Sequence, residues 1–169
     1  RNNKMKNKLL IVASDYYKGI TQNLIKGCLS KIKSKNKNVV VIKIPGTFEI
    51  PVVISKNLKK FDGFIALGCV IKGETPHFDF LCNSTFSSLL NLSTKSRKPI
   101  GNGIITALNM SQAKKISLIK GKEDANEDIE VIKPFIDENL SDSGQFDNAI
   151  ELLVQSGRKL AHAQEMLMP

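Results

Sequence analysis

Apolar runs and helically spaced apolar positions alternate along the first 120 residues. Four segments predict strands, at residues 8–13, 39–44, 64–71 and 100–106, the last interrupted by glycines. The runs at 8–13 and 64–71 are apolar almost throughout, which predicts strands buried on both faces. Apolar residues recurring every three or four positions predict amphipathic helices, at about 20–32, from 49 onward, at 76–94 and at 109–117. Short loops join these elements.

Strands that alternate with helices through short loops indicate a parallel sheet with right-handed crossovers. The helices then cover both faces of the sheet. The pattern therefore predicts an α/β fold, a three-layer domain over residues 1–120 built on a four-stranded parallel sheet.

The pattern changes after residue 120. Residues 1–122 hold 22 Lys and Arg against 5 Asp and Glu, whereas residues 123–169 hold 3 against 11. So abrupt a change indicates a second segment of different character. We predict an acidic, atypical C-terminal tail over 121–169, with one helix from about 146 to 160.

Composition excludes several classes of protein. No apolar run approaches the ~18 residues of a membrane span, and no signal-peptide pattern stands at the start. Three cysteines without metal-type spacing favour reduced thiols, a cytoplasmic location and no metal site. The lysine-rich part has no aromatic platform, so we interpret it as a solvated surface and expect no nucleic-acid partner.

Two loops carry the candidate chemistry, at residues 45–51 (PGTFEIP) and 66–79 (ALGCVIKGETPHFD). Each follows a predicted strand, and open parallel sheets bind ligands at the carboxyl ends of their strands. Gly73 and Thr75 precede a helix, where backbone N–H groups can hold an anion. His77 beside them can exchange protons near neutral pH, although a lone histidine at a helix start is more often structural.

These two motifs closely resemble those of 6,7-dimethyl-8-ribityllumazine synthases, and the resemblance runs from about Lys8 to about Lys115. It implies a flavodoxin-like domain and a transferase of riboflavin biosynthesis. That reaction condenses 5-amino-6-ribitylaminouracil with 3,4-dihydroxy-2-butanone 4-phosphate. The resemblance also implies two small-molecule substrates, no cofactor, and a homopentamer or a larger shell of pentamers.

The resemblance implies roles for individual residues as well. His77 is expected to assist proton transfer. Residues lining the pyrimidine and ribityl site are expected to be Tyr16, Thr47, Phe48 and Glu49, with backbone groups of Cys69, Val70 and Ile71. The phosphate is expected to bind at Gly73, Glu74 and Thr75.

Two positions depart from the family pattern. Asn102 stands where many relatives carry a phenylalanine that reaches a neighbouring subunit's site, and its amide can still form hydrogen bonds. Ile116 stands where relatives carry an arginine that clamps phosphate. Lys115 can substitute only as a point charge, because it lacks the planar fork of arginine.

The tail is similar to part of the amidotransferase region of glutamate synthase large subunits, at residues 127–130, 141–154 and 156–163. It lacks the nucleophilic cysteine and most of that domain, so no amidotransferase activity is expected. A fusion and a native extension both remain open.

Two other functions remain open. The missing arginine and the divergent tail favour an inactive or weakly active protein that keeps the pyrimidine pocket for binding or assembly. A flavodoxin-like FMN carrier shares the sheet type, and fold alone does not separate it from an enzyme.

Overall fold

A computed structural model of the chain describes residues 8–32 and 38–120. The predicted tail helix lies outside these residues. The division of the chain at residue 120 stays a prediction.

Strands and helices alternate along the described chain. They are β1 (Leu9–Ser14), α1 (Lys18–Lys31), β2 (Val39–Ile44), α2 (Ile50–Asn57), β3 (Gly63–Ile71), α3 (His77–Ser96), β4 (Ile100–Ala107) and α4 (Met110–Lys120). A 3₁₀ turn, Thr47–Glu49, precedes α2. The four strands form one parallel sheet in the order β2-β1-β3-β4, which confirms the predicted α/β fold.

Alternate side chains of the strands pack on opposite faces, as the strand period of two requires. Leu9, Ile11 and Ala13 of β1 belong to the core layer beneath α1 and α4. Leu10 and Val12 belong to the layer beneath α2 and α3. Because β1 and β3 lie in the middle of the sheet, both of their faces are buried, and their sequences read as continuous apolar runs.

The central strands end at different heights. The ladder between β1 and β3 ends at Ala13 and Leu67, whereas the ladder between β3 and β4 continues to Ile71 and Ala107. From Gly68 onward, β3 therefore has a strand neighbour on one side only. This leaves a recess at the carboxyl edge of the sheet, a position typical of ligand sites in such folds.

Helix α1 begins without a side-chain cap. Ser14 is the last residue of β1, one residue beyond the apolar run that predicted the strand, and the residue before the helix is Tyr17, whose side chain makes no capping hydrogen bond. The hydroxyl of Thr21, within the first turn of the helix, donates to the Ser14 carbonyl oxygen at 2.5 Å.

Helix α4 begins at a reciprocal cap. The amide N–H of Gln112 donates to Asn109 Oδ1 at 2.9 Å, and that of Leu108 donates to Gln112 Oε1 at 2.8 Å. These bonds satisfy backbone donors that a helix start leaves free. They hold α4 at the carboxyl end of β4.

The three cysteines, Cys28, Cys69 and Cys82, are buried and form no disulfide. Their side chains pack as small apolar residues within the two core layers. Within residues 8–32 and 38–120, no helix is both long and apolar enough to cross a membrane.

Candidate functional site

Loops that follow the four strands meet at the carboxyl edge of the sheet. The amide of Asp15, after β1, donates to the carbonyl of Ile44 at the end of β2, at 2.7 Å. The amide of Lys72, after β3, donates to Ala107 at the end of β4, at 2.8 Å. The Thr47–Glu49 turn contacts both β3 and α3. Backbone hydrogen bonds and packing thus fix the loops to the sheet and to one another.

Two aromatic side chains stand out from this edge. Tyr16 is 73% exposed and Phe48 is 61% exposed. The Tyr16 ring meets the ring of Tyr17 edge-on, with 4.9 Å between centroids, and Tyr17 packs against the core. Tyr17 therefore supports Tyr16 from below and leaves its outer face free. Exposed aromatic faces on fixed loops can stack on a planar ligand.

The Thr47–Glu49 turn is anchored by its first residue. The Thr47 side chain is buried, whereas Phe48 and Glu49 are exposed. Gly46 has an extended backbone (φ −129°, ψ 161°) that any residue can adopt. Glycine provides space at this position, because the Glu49 carboxylate lies where a side chain at residue 46 would project.

At the end of β3 the side chains are turned into the protein, so only backbone groups there are candidates for contact with a ligand. Cys69 and Val70 are buried, and Ile71 is half-buried. Burial raises the pKa of the Cys69 thiol to about 12, because a thiolate is poorly solvated there. The thiol is therefore protonated at neutral pH and is a poor nucleophile.

The loop between β3 and α3 is open to solvent throughout. Gly73, Glu74, Thr75 and His77 are all exposed, and His77 is the first residue of α3. The carbonyl of Pro76 accepts the amides that follow within the helix, those of Asp79 and Phe80. The N-terminus of a 20-residue helix thus lies beside this loop, with its positive dipole end outward.

The remaining predicted residues lie apart from these loops within one chain. Asn102 is near the start of β4, paired with Ala66, and its Oδ1 accepts the amide of Ile104 at 3.2 Å. Lys115 is exposed on α4, about one and a half turns from the first residue of that helix. Ile116 packs against the core beneath α1 and α4.

Three residues at this edge escaped the sequence-based site. Ser14 and Gly68 lie beneath the Thr47–Glu49 turn, and Asp15 lies 4.0 Å from the Lys43 ammonium across β1 and β2. The sequence marks these three residues only as small or polar residues within or at the ends of apolar runs. An ion pair this open contributes little stability, about 0–1 kcal/mol.

Metal ligation finds no support in the described part of the chain, where no three His, Cys, Asp or Glu residues cluster. The exposed side chains at the edge include two aromatic rings, two carboxylates, a hydroxyl and an imidazole. This set suits an organic ring with a hydroxyl chain, together with an anion at the helix terminus.

Fold and edge together define a three-layer α/β protein with a candidate small-molecule site where the strands end. The family model for 6,7-dimethyl-8-ribityllumazine synthase matches residues 6–134, and the chain belongs to that family.

Individual relatives agree with the family match. The 6,7-dimethyl-8-ribityllumazine synthase of Bartonella tribocorum is 40% identical over 108 residues, covering 62% of this chain and 72% of the relative. That of Limosilactobacillus reuteri is 40% identical over 119 residues, covering 68% and 78%. That of Methylobacterium radiotolerans is 37% identical over 108 residues, covering 63% and 66%.

These matches confirm the predicted family. The family match reaches residue 134, past Lys115, where we expected the resemblance to end. The similarity of the tail to glutamate synthase stays a prediction.

Proposed function

We propose that the chain catalyses the reaction of its family. It condenses 5-amino-6-ribitylaminouracil with 3,4-dihydroxy-2-butanone 4-phosphate, releasing phosphate and water and forming the lumazine ring of the riboflavin pathway. The observation that supports this proposal is that Tyr16, Phe48, Glu49 and His77 are all exposed and follow strands of one parallel sheet, at its carboxyl edge.

The pyrimidine substrate occupies the side of the edge formed by β1, β2 and the end of β3. Tyr16 and Phe48 present aromatic faces to the ring. The Glu49 carboxylate accepts hydrogen bonds from ribityl hydroxyls, and the turn's anchoring keeps that carboxylate in place. Cys69, Val70 and Ile71 contribute backbone groups, which lie beyond the last residue of β3 that pairs with β1.

The four-carbon phosphate occupies the start of α3. Backbone N–H groups at Gly73, Glu74 and Thr75, with the Thr75 hydroxyl, bind its oxygens. The dipole of α3 favours the negative charge there. Since Glu74 is exposed and acidic, its side chain points into solvent, and its backbone is the part that serves the phosphate.

His77 lies between the two substrates as the proton carrier. It takes and returns protons as the amine adds to the carbonyl and as phosphate leaves. Holding two substrates face to face supplies much of the rate enhancement, because a bimolecular step becomes effectively intramolecular. The protein needs no cofactor for this chemistry.

We propose a homopentamer, in which Asn102 and Lys115 act on a neighbouring subunit's site. Support comes from large apolar side chains exposed on α2 and α3, namely Val52, Phe80 and Leu90. Exposed apolar residues of this size are typical of subunit interfaces. Light scattering on the purified full chain tests this. We expect a mass five times that of the chain or a multiple of it, and a monomer would contradict the pentamer.

We also propose a cytoplasmic location, supported by three cysteines that form no disulfide, since disulfides are rare in the reducing cytoplasm. Fractionation of cells expressing the full chain tests it. Recovery in the membrane or secreted fraction would contradict this location.

The activity is tested by incubating the full chain with both substrates and recording the lumazine fluorescence. Reactions lacking either substrate are the controls. Product that depends on enzyme and on both substrates supports the proposal. A flavin that copurifies with the chain, without product formation, would favour an FMN carrier.

One observation favours a second candidate, a binding or assembly protein with little turnover. Ile116 packs into the core at the position where relatives carry the phosphate clamp. Binding of a ribityl ligand without product would support it. If Lys115 replaces the clamp, Lys115→Ala raises the Michaelis constant of the phosphate substrate alone, with Lys114→Ala as the matched control. An unaltered constant would exclude that role for Lys115.

A further inference from the structure

Gly68 marks the point where three site-forming segments touch. A Cβ atom added there would lie 3.1 Å from Ser14 Cβ, 3.2 Å from Thr47 Oγ1 and 3.8 Å from Ile50 Cδ1. Ser14 ends β1, Thr47 opens the 3₁₀ turn, and Ile50 begins α2. We call the space at Gly68, filled by the side chains of Ser14 and Thr47, the Gly68 notch.

Space, rather than backbone conformation, makes glycine necessary in the notch. No glycine in residues 8–32 and 38–120 has a positive φ, so alanine could adopt the backbone of Gly68. Contacts of 3.1–3.2 Å are tighter than ordinary van der Waals packing. An added methyl group would therefore push a neighbour away by a few tenths of an ångström.

Thr47 is the neighbour that we expect to yield, because it lies in a short turn rather than in the sheet. Ser14 is held in β1, where it is 1% exposed, and its carbonyl accepts the Thr21 hydroxyl. Thr47 is 5% exposed and is the buried residue of a three-residue turn. Displacing Thr47 shifts Phe48 and Glu49 with it.

We infer that Gly68 is a positioning residue for the pyrimidine half of the site. It acts through Thr47, which rests in the Gly68 notch and sets the height of the Thr47–Glu49 turn above the sheet. On this view the Thr47 side chain anchors the turn rather than contacting substrate. The inference rests on the proposed function and adds which side chains fix the ring-binding turn.

If the notch positions only the ring-binding turn, Gly68→Ala should change the Michaelis constant for one substrate and not for the other. The three atoms nearest to a Cβ added at Gly68 all lie outside the phosphate loop at residues 73–75, so we expect its substrate to bind as before. We expect the Michaelis constant for ribitylaminouracil to rise about fivefold or more, equivalent to weakening one hydrogen bond. That of the butanone phosphate should change less than twofold. A general loss of structure would instead alter both constants, or lower turnover alone.

Two further variants sharpen this test. Ser14→Gly combined with Gly68→Ala removes the atom nearest the new methyl group, and we expect it to restore at least half of the lost affinity. Such coupling between neighbouring substitutions is the signature of a shared contact. Gly19→Ala is the matched control, because nothing lies within 4 Å of its added Cβ; both constants should stay at wild-type values.

Thr47→Ala covers the case in which Gly68→Ala is not recovered folded. It removes the hydroxyl that rests on Gly68 and adds no atom. It should raise the same constant and spare the other. Equal effects on both substrates, or none, would overturn the inference.

Binding and structure provide readouts that do not require turnover. The probe is ribitylaminouracil with a nitro group in place of the reacting amine, titrated calorimetrically against wild type and Gly68→Ala. Crystal structures of wild type and Gly68→Ala should differ in the Thr47–Glu49 backbone, which we expect to be displaced relative to the sheet in Gly68→Ala. A wild type that binds neither probe nor substrate defeats the proposed function, whereas an undisplaced turn in Gly68→Ala defeats this inference.

Discussion

The carboxylate of Glu49 lies directly over Gly46. A Cβ atom at residue 46 would come within 2.5 Å of Glu49 Oε2 and 3.5 Å of Cδ. Because Gly46 has no side chain, the Glu49 carboxylate that we assign to the ribityl chain can occupy this position. Two residues of one loop thus determine where that carboxylate can sit.

Gly46→Ala should separate binding from stability. The new methyl group meets the flexible end of Glu49, which can rotate away, and the extended backbone of residue 46 suits alanine. We expect the melting temperature to hold or rise slightly. Alanine reduces the conformational entropy of the unfolded chain, which stabilises the folded state by about 0.4–1 kcal/mol. The Michaelis constant for ribitylaminouracil should rise severalfold, as measured by steady-state fluorescence. Wild-type affinity would show that the Glu49 carboxylate does not hold the ribityl chain.

His77→Ala should slow condensation with little effect on the fold, because His77 is exposed at the start of α3. Loss of a proton-transfer residue typically lowers turnover by about 10²–10⁴-fold. We expect a fall of at least about 10²-fold in kcat with a small change in either Michaelis constant. Added imidazole should restore part of the rate in the variant and none in wild type. Unchanged turnover would refute the proton-transfer role.

The order of strands and helices could be predicted because the core imposes its periods on the sequence. Residues 64–71 read as an unbroken apolar run, and β3 is indeed central and covered on both faces. The ends of elements were less predictable. Ser14 is polar, yet its backbone completes β1 and its carbonyl accepts the Thr21 hydroxyl. Tertiary contacts, absent from the local pattern, decide such boundaries.

The candidate site was predictable where motifs mark loops after strands. Phe48, Glu49 and His77 are exposed at one edge, as parallel topology requires. The supporting contacts were not predictable, since Ser14 and Gly68 are more than fifty residues apart and carry no motif in common. Only the packing of β1 against β3 brings them together.

Lys98 should stabilise the amino end of the sheet. Its ammonium donates to the carbonyl oxygens of Leu58 at 2.5 Å and Phe61 at 2.6 Å, joining two loops. Lys98→Met keeps the apolar stem and removes both bonds. Hydrogen bonds to charged groups contribute about 1.5–3 kcal/mol, so we expect a loss of that size in urea unfolding.

Lys95→Met is the matched control for that substitution. Lys95 is an exposed residue in the last turn of α3, three residues before Lys98. Its replacement should change stability by no more than about 0.5 kcal/mol. Equal effects of the two substitutions would show that Lys98 acts through its charge alone, whereas a larger loss for Lys98→Met identifies the bonds to the two carbonyls.

The Cys69 thiol should resist alkylation until strongly alkaline pH. Burial raises its pKa to about 12, and the thiolate is the reactive form. At pH 8 an ordinary thiol with a pKa near 8.5 is about one quarter thiolate. A thiol with a pKa near 12 is ionised to about one part in 10⁴, so labelling should slow by about 10³-fold.

The pH dependence of the labelling rate distinguishes control by ionisation of the Cys69 thiol from simple steric exclusion of the reagent. With Cys28 and Cys82 replaced by alanine, iodoacetamide labelling of native Cys69 should accelerate about tenfold per pH unit from 8 to 11. Labelling of the urea-unfolded chain should level off above pH 9, because its thiol is already ionised there. Native labelling that matches the unfolded rate at pH 8 would show that the thiol is not buried. It would also reopen a chemical role for a residue that otherwise offers only its backbone.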